Sequence, residues 1–275
     1  MPVVAAKFSG VAEPCRGSPR NAKALILARK MFDAATQPVS PKPARWRLTA
    51  TVLWSVLLLV GFDLLGGVIV KILIGLRQAG VSSPVLQGLF GETLTLQLGV
   101  TLFVMLLGSA CVVAIIALKK GSSFVDYLAL RGVRARVLLR WIGLLLLFLV
   151  AESMLFGALG KQDKFFVDNL FAKVPPWLAL TAVIVVAPVF EEITFRGFIF
   201  SGLEASFIGP YGAIGITAAV WAFFHPQYGV FGTVVVFALG VLFGFARLRT
   251  GSLVVPLALH ALHNLSAFTL YSLLH

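Results

Sequence analysis

The sequence has few charged residues and almost no cysteine. Only 12% of its 275 residues are charged, about half the share of an average soluble protein, so the chain cannot cover a globular fold with polar surface. Two cysteines, Cys15 and Cys111, exclude a disulfide scaffold and a cysteine-cluster metal site. The first residues contain no apolar core of the signal-peptide type, so a cleaved signal is not expected.

Hydrophobic residues make up 59% of the chain, and the mean hydropathy is +0.96. The net charge of +12 could indicate a nucleic-acid partner, but basic loops that set orientation and contact anionic lipid explain it better in a membrane protein. Within a bilayer, helices satisfy every backbone amide internally. We therefore predict an all-α polytopic membrane protein with the lipid bilayer, and no nucleic acid, as a partner.

Seven apolar segments follow Arg47. The long ones can cross a hydrocarbon layer of about 30 Å at about 1.5 Å per residue, so we predict about seven transmembrane helices. The stretch 81–92 is too short to span and is expected to be re-entrant or a surface turn. The fifth and sixth segments could instead dip into the membrane and return around Pro226. The predicted spans are 48–70, 94–118, 141–159, 175–203, 210–226, 229–246 and 251–273.

Basic residues orient these helices. With the N-terminus inside, 17 of the 23 lysines and arginines fall in inner segments and 5 in outer ones, which predicts a cytoplasmic N-terminus. A bacterial inner membrane suits this pattern, with a eukaryotic organelle as the alternative. We divide the chain into a basic arm at 1–45, disordered or with a short interfacial helix, N-terminal membrane helices at 46–174, and a C-terminal helical core at 175–275.

Five ionisable side chains, other than histidine, lie inside predicted spans, where each costs about 2.5–3.5 kcal/mol on insertion scales. Asp63 and Glu152 are alone in their helices, so each either packs in a neutral form, which we favour, or lines a wet cavity. Glu192 and Arg196 are four residues apart and can form an intrahelical ion pair. Glu191 then points about 100° away, towards a different neighbour.

Three of the four histidines also fall in predicted spans. His260 and Asn264 share one helical face, while His263 is a possible competitor for the same role. Counted from the inner ends of the spans, Glu191, His225 and His260 lie roughly 18, 22 and 13 Å deep, close enough to share one layer. A carboxylate with two imidazoles is the composition of a water-activating site, in which imidazoles hold a divalent metal or polarise a carbonyl and the carboxylate acts as a base.

Three short motifs carry a resemblance to a known family. Because they occur in order and all in apolar helices, the sequence resembles the CPBP family of intramembrane proteases, which includes CAAX prenyl endopeptidases and bacteriocin-processing relatives. The resemblance covers about 175–273. Tryptophan replaces the family's phenylalanine in the second motif, which we interpret as a conservative packing change. The motifs are Glu191-Glu192-Ile-Thr-Phe-Arg196, Trp221-Ala-Phe-Phe-His225 and His260-Ala-Leu-His-Asn264.

The resemblance implies a cavity enclosed by membrane helices and an endopeptidase that hydrolyses a membrane-associated or lipidated peptide or protein. It makes Glu191 the base that activates water and Glu192 with Arg196 the groups that orient it. The remaining matched residues would stabilise the oxyanion or, together with Glu191, bind a divalent metal, for which zinc is the expected ion. These residues are His225, His260 and Asn264.

Two other classes remain open. A membrane transporter would use Asp63, Glu152 and the glutamate pair as relay groups, although no inverted repeat with matching broken helices is visible. A non-catalytic adaptor or immunity protein could use the same scaffold. All matched polar positions are intact, and binding alone would not require them, so we favour the protease.

Overall fold

The computed structural model describes residues 44–79, 93–160 and 173–274. Within these ranges the chain is almost entirely helical and has no strand, which confirms the predicted all-α fold. The expectations for the arm up to residue 43 and for the stretch 81–92 lie outside the described residues.

Each of the seven predicted segments is helical, and one short helix lies between the second and third. The helix of the first predicted segment ends later than predicted, at Gln78, and that of the third begins earlier, at Ala135, because each helix continues past the apolar run. The helices are α1 (Leu48–Gln78), α2 (Thr93–Ala117), the short α3 (Phe124–Leu128), α4 (Ala135–Ala158), α5 (Pro176–Glu204), α6 (Gly209–Phe223), α7 (Gly229–Thr250, after a 3₁₀ turn at Pro226–Tyr228) and α8 (Val254–Leu274).

Among the described residues, five helices are long and apolar enough to cross a membrane: α1, α2, α4, α5 and α7 with its preceding turn. The chain is therefore an integral membrane protein. Helix α6 has 15 residues, which reach about 22 Å and fall short of the hydrocarbon thickness. The count of seven crossings and the cytoplasmic N-terminus stay predictions.

Helix α5 lies at the centre of the fold. Half of its most apolar 18-residue stretch is buried inside the protein, whereas only 6% of the corresponding stretches of α1 and α4 is buried. It is also irregular, with π-helical segments at Thr181–Val186 and Glu192–Ile199. Such wide turns hydrogen-bond from i to i+5 and are common at functional sites. Pro188 follows the first one, where its missing amide would break a regular α-helical bond.

The short helix α3 attaches the end of α5 to neighbouring segments. Arg45 donates to the carbonyl of Tyr127 and stacks 4.4 Å from its ring centre. The same carbonyl accepts a 3.3 Å hydrogen bond from Ser201 in α5. The amide of Leu253, just before α8, donates to Ala129 at 2.9 Å. These bonds fix the ends of α1, α5 and α8 relative to one another.

The contact between α1 and α5 depends on Gly202. A Cβ at this position would lie 2.1 Å from Oγ1 of the buried Thr51. We expect Gly202→Ala to lower stability by about 1–3 kcal/mol, the usual cost of overpacking a core. The measurement is thermal unfolding of the detergent-solubilised protein.

Gly143 is the matched control, because an added Cβ there meets nothing within 4 Å. Gly143→Ala in α4 should leave stability unchanged or raise it, since alanine favours helices. Equal melting temperatures for the two variants would contradict the tight α1–α5 contact.

Candidate active site

A fully buried arginine lies on the second π-helical segment. Nη1 of Arg196 bonds Oε1 of Glu192 at 3.0 Å, and Nη2 donates to the carbonyl of Gly240 at 3.2 Å. Both charged side chains are inaccessible to solvent. The ion pair inferred from the four-residue spacing is present. Because an isolated buried charge is costly, each partner requires the other.

Trp221 of α6 lies against this pair. The guanidinium of Arg196 is 4.5 Å from the centre of the Trp221 ring, within the range of cation–π attraction. Its indole Nε1 donates to Oε2 of Glu191. The interpretation of Trp221 as a conservative packing change was therefore wrong, since phenylalanine has no N–H to donate. A signal existed in the sequence, because a buried indole N–H usually finds a partner.

His260 joins the two glutamates. Its Nδ1 lies 3.0 Å from Oε1 of Glu192, and its Nε2 lies 3.8 Å from Oε2 of Glu191. A carboxylate only accepts hydrogen bonds, so Nδ1 carries a proton, and the neutral form of this ring has its lone pair on Nε2, the nitrogen nearer Glu191. The second glutamate thus has a role beyond neutralising arginine, because it orients this imidazole.

His225 has the same arrangement from the other side. Its Nδ1 lies 2.7 Å from the carbonyl of Trp221, and its Nε2 lies 4.0 Å from Oε2 of Glu191. The carbonyl fixes the proton on Nδ1 and leaves Nε2 as an acceptor. The three side chains that were expected to share a layer do meet. Two nitrogen lone pairs and one carboxylate oxygen face a common space, which suits a water molecule or a cation.

These groups open onto a cavity of about 480 Å³. Glu191 is only 8% exposed, and the wall around it is mostly apolar. Asn264 lines the cavity as well, and its Nδ2 donates to the carbonyl of Val183 at 2.7 Å. Its Oδ1 lies 3.4 Å from Nδ1 of His263. Asn264 therefore lies on the cavity wall with its oxygen directed towards His263.

Asp63 and Glu152 line cavities rather than packing in the core, which is the interpretation that the sequence favoured less. Glu152 lies in the cavity just described, 3.6 Å from Nε2 of His263. Asp63 lines a second cavity of about 570 Å³ between α1 and α2. Both cavities include Glu191 in their walls. The two cavities thus adjoin at Glu191.

The donor set suits a divalent metal, although the described residues contain no ready cluster of three or more histidine, cysteine, aspartate or glutamate ligands. His225 and His260 offer neutral Nε2 atoms whose Nδ1 protons are bonded, an arrangement common among metal-bound histidines. Glu191 would supply an oxygen. Together these side chains would offer an ion two nitrogens and one oxygen, ligand atoms that zinc accepts.

Comparison with known proteins agrees with the motifs. Residues 173–266 match the model of a family described as type II CAAX prenyl endopeptidase Rce1-like. No curated protein and no solved structure matches the chain. The match covers about a third of the chain and includes all three motifs. It confirms the resemblance to the CPBP and CAAX protease family for this segment.

The buried ion pair leads to a stability prediction. Arg196→Ala leaves Glu192 buried without its cation, and breaking such a pair typically costs about 3–5 kcal/mol. We expect a lower melting temperature and less monodisperse protein after detergent extraction, measured by scanning fluorimetry and size-exclusion chromatography.

Arg131→Ala is the control for losing an arginine. Arg131 pairs with Asp126 at 3.3 Å, but both side chains are more than half exposed, and such surface pairs contribute about 0–1 kcal/mol. If Arg196→Ala were as stable as Arg131→Ala, the ion pair would not be what stabilises the core.

Proposed function

We propose that this membrane protein, whose residues 173–266 match CAAX-type proteases, is an intramembrane endopeptidase with Glu191 as its general base. One observation carries the proposal. Oε2 of Glu191 faces the free Nε2 atoms of His225 and His260 at 4.0 and 3.8 Å, at the wall of a cavity within apolar helices. Its substrate is a membrane-associated or lipidated peptide. The protein is located in a bacterial inner membrane with its N-terminus in the cytosol.

The proposed reaction begins with water bound between Glu191 and the two imidazoles. Glu191 takes a proton from this water while the water oxygen attacks the peptide carbonyl carbon. Glu191 then passes that proton to the nitrogen of the leaving amine. The apolar surroundings strengthen these electrostatic interactions because little water competes. Trp221 holds Oε2 through its indole N–H, so the carboxylate is oriented before substrate arrives.

Asn264 suits the role of oxyanion donor. Its Nδ2 has two hydrogens, and the bond to Val183 at 2.7 Å uses one of them. The other is available to the developing negative charge on the carbonyl oxygen. His225 and His260 are acceptors at Nε2 and in their neutral form cannot donate there. We therefore assign the imidazoles to water or metal and the amide to the oxyanion.

A divalent metal, with zinc as the expected ion, is part of this proposal. Glu191, His225 and His260 would hold it, and it would supply Lewis-acid polarisation and a more acidic water. Asn264, which the motif resemblance included among the ligands, directs its oxygen to His263 and is assigned elsewhere. Chelator should abolish cleavage and added zinc should restore it; unchanged cleavage in chelator would reject the metal and keep the base.

A transporter is the second candidate, because the two cavities lined by Asp63 and Glu152 meet at Glu191. Carboxylates along such a path could relay protons. A transporter cleaves no peptide, and its function should fail when Asp63 is replaced. These outcomes separate it from the protease.

Glu191→Gln should abolish proteolysis while the protein still inserts and folds. Glutamine keeps the shape but cannot accept the proton of water, and loss of a general base typically lowers the rate about 10²–10⁴-fold. The measurements are peptide cleavage by the purified protein and quantitative membrane proteomics of cells that carry either form.

Asp63→Asn is the matched control, since it also removes one carboxylate from a membrane helix. It should retain cleavage. Full cleavage by purified Glu191→Gln protein would overturn the mechanism, and loss of function in both variants without any cleavage product would favour transport.

Trp221→Phe should lower kcat about tenfold with little change in KM. The phenyl ring still covers Arg196, but the N–H that holds Glu191 is lost, and a hydrogen bond to a charged group is typically worth about 1.5–3 kcal/mol. Steady-state kinetics on one peptide substrate gives both constants.

Trp177→Phe controls for the loss of an indole, because Trp177 is 65% exposed at the start of α5. Its kinetics should equal those of the parent. Equal kcat in the Trp221→Phe protein would mean that the indole packs against Glu191 without positioning it.

A further inference from the structure

We propose that Glu152 and His263 form a subsite that binds a cationic side chain of the substrate, lysine or arginine, next to the scissile bond. This inference rests on the proposed function, since it concerns the peptide that the same cavity receives. It gives a role to two polar residues, Glu152 and His263, to which the motif resemblance assigns none.

The pair lies on the cavity wall, where α4 and α8 meet. Oε2 of Glu152 is 3.6 Å from Nε2 of His263, and the two side chains are 23% and 20% exposed. Both therefore reach the cavity surface. Glu152 is the only acidic or basic residue of α4 after Arg140, within an otherwise apolar stretch. A carboxylate at such a position is expensive unless it has a function.

The hydrogen-bonding pattern leaves the pair incomplete. Because Nδ2 of Asn264 donates to Val183, its Oδ1 is the atom that faces Nδ1 of His263 at 3.4 Å. Nδ1 must then carry the proton, so a neutral His263 presents the lone pair of Nε2 to the carboxylate of Glu152. Two acceptors face each other at a distance too long for a direct hydrogen bond. A donor placed between them satisfies both.

The charge of the cavity indicates what that donor is. The described residues that line it include two glutamates and three histidines, and no lysine or arginine. An acidic group of the substrate would find no cationic side chain there, whereas an ammonium or guanidinium group meets Glu152 directly. Such charge-assisted bonds are about twice as strong as neutral ones. The cavity thus favours a basic residue.

The spacing on α8 sets the distance from the reaction centre. His263 lies three residues after His260, or about 4.5 Å along the helix axis. An extended peptide advances about 3.3 Å per residue. The basic side chain therefore belongs to a residue one or two positions from the cleaved bond.

Peptide binding tests the subsite apart from catalysis. We would use Glu191→Gln protein in nanodiscs, which removes the other cavity carboxylate that lysine could contact. The probes are apolar peptides with one lysine at successive positions and the same peptides with norleucine, which has a similar length but no charge. At one or two adjacent positions lysine should bind at least about tenfold tighter, and adding Glu152→Gln should abolish the difference.

Further variants keep the result interpretable. His263→Gln should reduce the lysine preference, and Glu152→Asp, which keeps the charge, should retain part of it if Glu152→Gln folds poorly. Asp126→Asn, which removes an exposed carboxylate from helix α3, should leave the preference intact.

Equal binding of lysine and norleucine peptides at every position would overturn the subsite. It would mean that Nε2 of His263 is protonated and pairs with Glu152 directly, without a substrate cation. Cleavage assays with the parent protein separate this result from the proposed function. Cleavage without a lysine preference rejects the subsite alone, whereas a lysine preference without cleavage keeps the subsite and rejects the protease.

Discussion

The buried guanidinium of Arg196 is the group on which the arrangement of the site depends. Removing it from water is costly, and the fold compensates with Glu192, the carbonyl of Gly240 and the face of Trp221. Glu192 in turn orients His260. Trp221 donates to Glu191, the proposed base. The buried guanidinium of Arg196 thus fixes the positions of the proposed reactive groups through Glu192 and Trp221.

Close backbone approach makes this arrangement possible. A Cβ at Gly240 would lie 3.1 Å from the ring of Trp221 and 3.0 Å from Ala218, so glycine favours the close approach of α7 to α6 at which the Gly240 carbonyl accepts from Arg196. The wide π turn at Glu192–Ile199 contains Arg196, the residue that donates to this carbonyl. Local irregularity in α5 therefore coincides with the segment whose charged side chains, Glu192 and Arg196, are buried away from water.

The cavity combines two clusters of acceptors in apolar surroundings. At Glu191 the acceptors are a carboxylate and two imidazole nitrogens, which suits water or a metal ion. At Glu152 they are a carboxylate and one imidazole nitrogen, which suits a basic side chain. Both clusters include α8, whose residues His260 and His263 lie less than one turn apart. A single helix thereby relates the position of the substrate to that of the reacting water.

Much of this protein follows from its sequence. Long apolar runs predicted the helices, because no other open-chain structure satisfies the backbone in lipid, although α1 and α4 extend beyond the predicted bounds to Gln78 and Ala135. Three spaced motifs predicted that Glu191, His225 and His260 lie close together, as the structure shows, and the i,i+4 rule predicted the pair of Glu192 with Arg196. These inferences succeed because they depend on spacing within one helix or on residue types that are costly in a membrane.

Only the tertiary structure decided which side chains from different helices meet. It showed that Trp221 donates to Glu191, that the amide of Asn264 donates to Val183 of α5, and that Asp63 and Glu152 line cavities. Spacing along one helix cannot give these contacts, since they depend on how α4, α5, α6 and α8 rotate and approach one another. That rotation is set by packing across the whole core, where a single glycine or a wide turn shifts every neighbour.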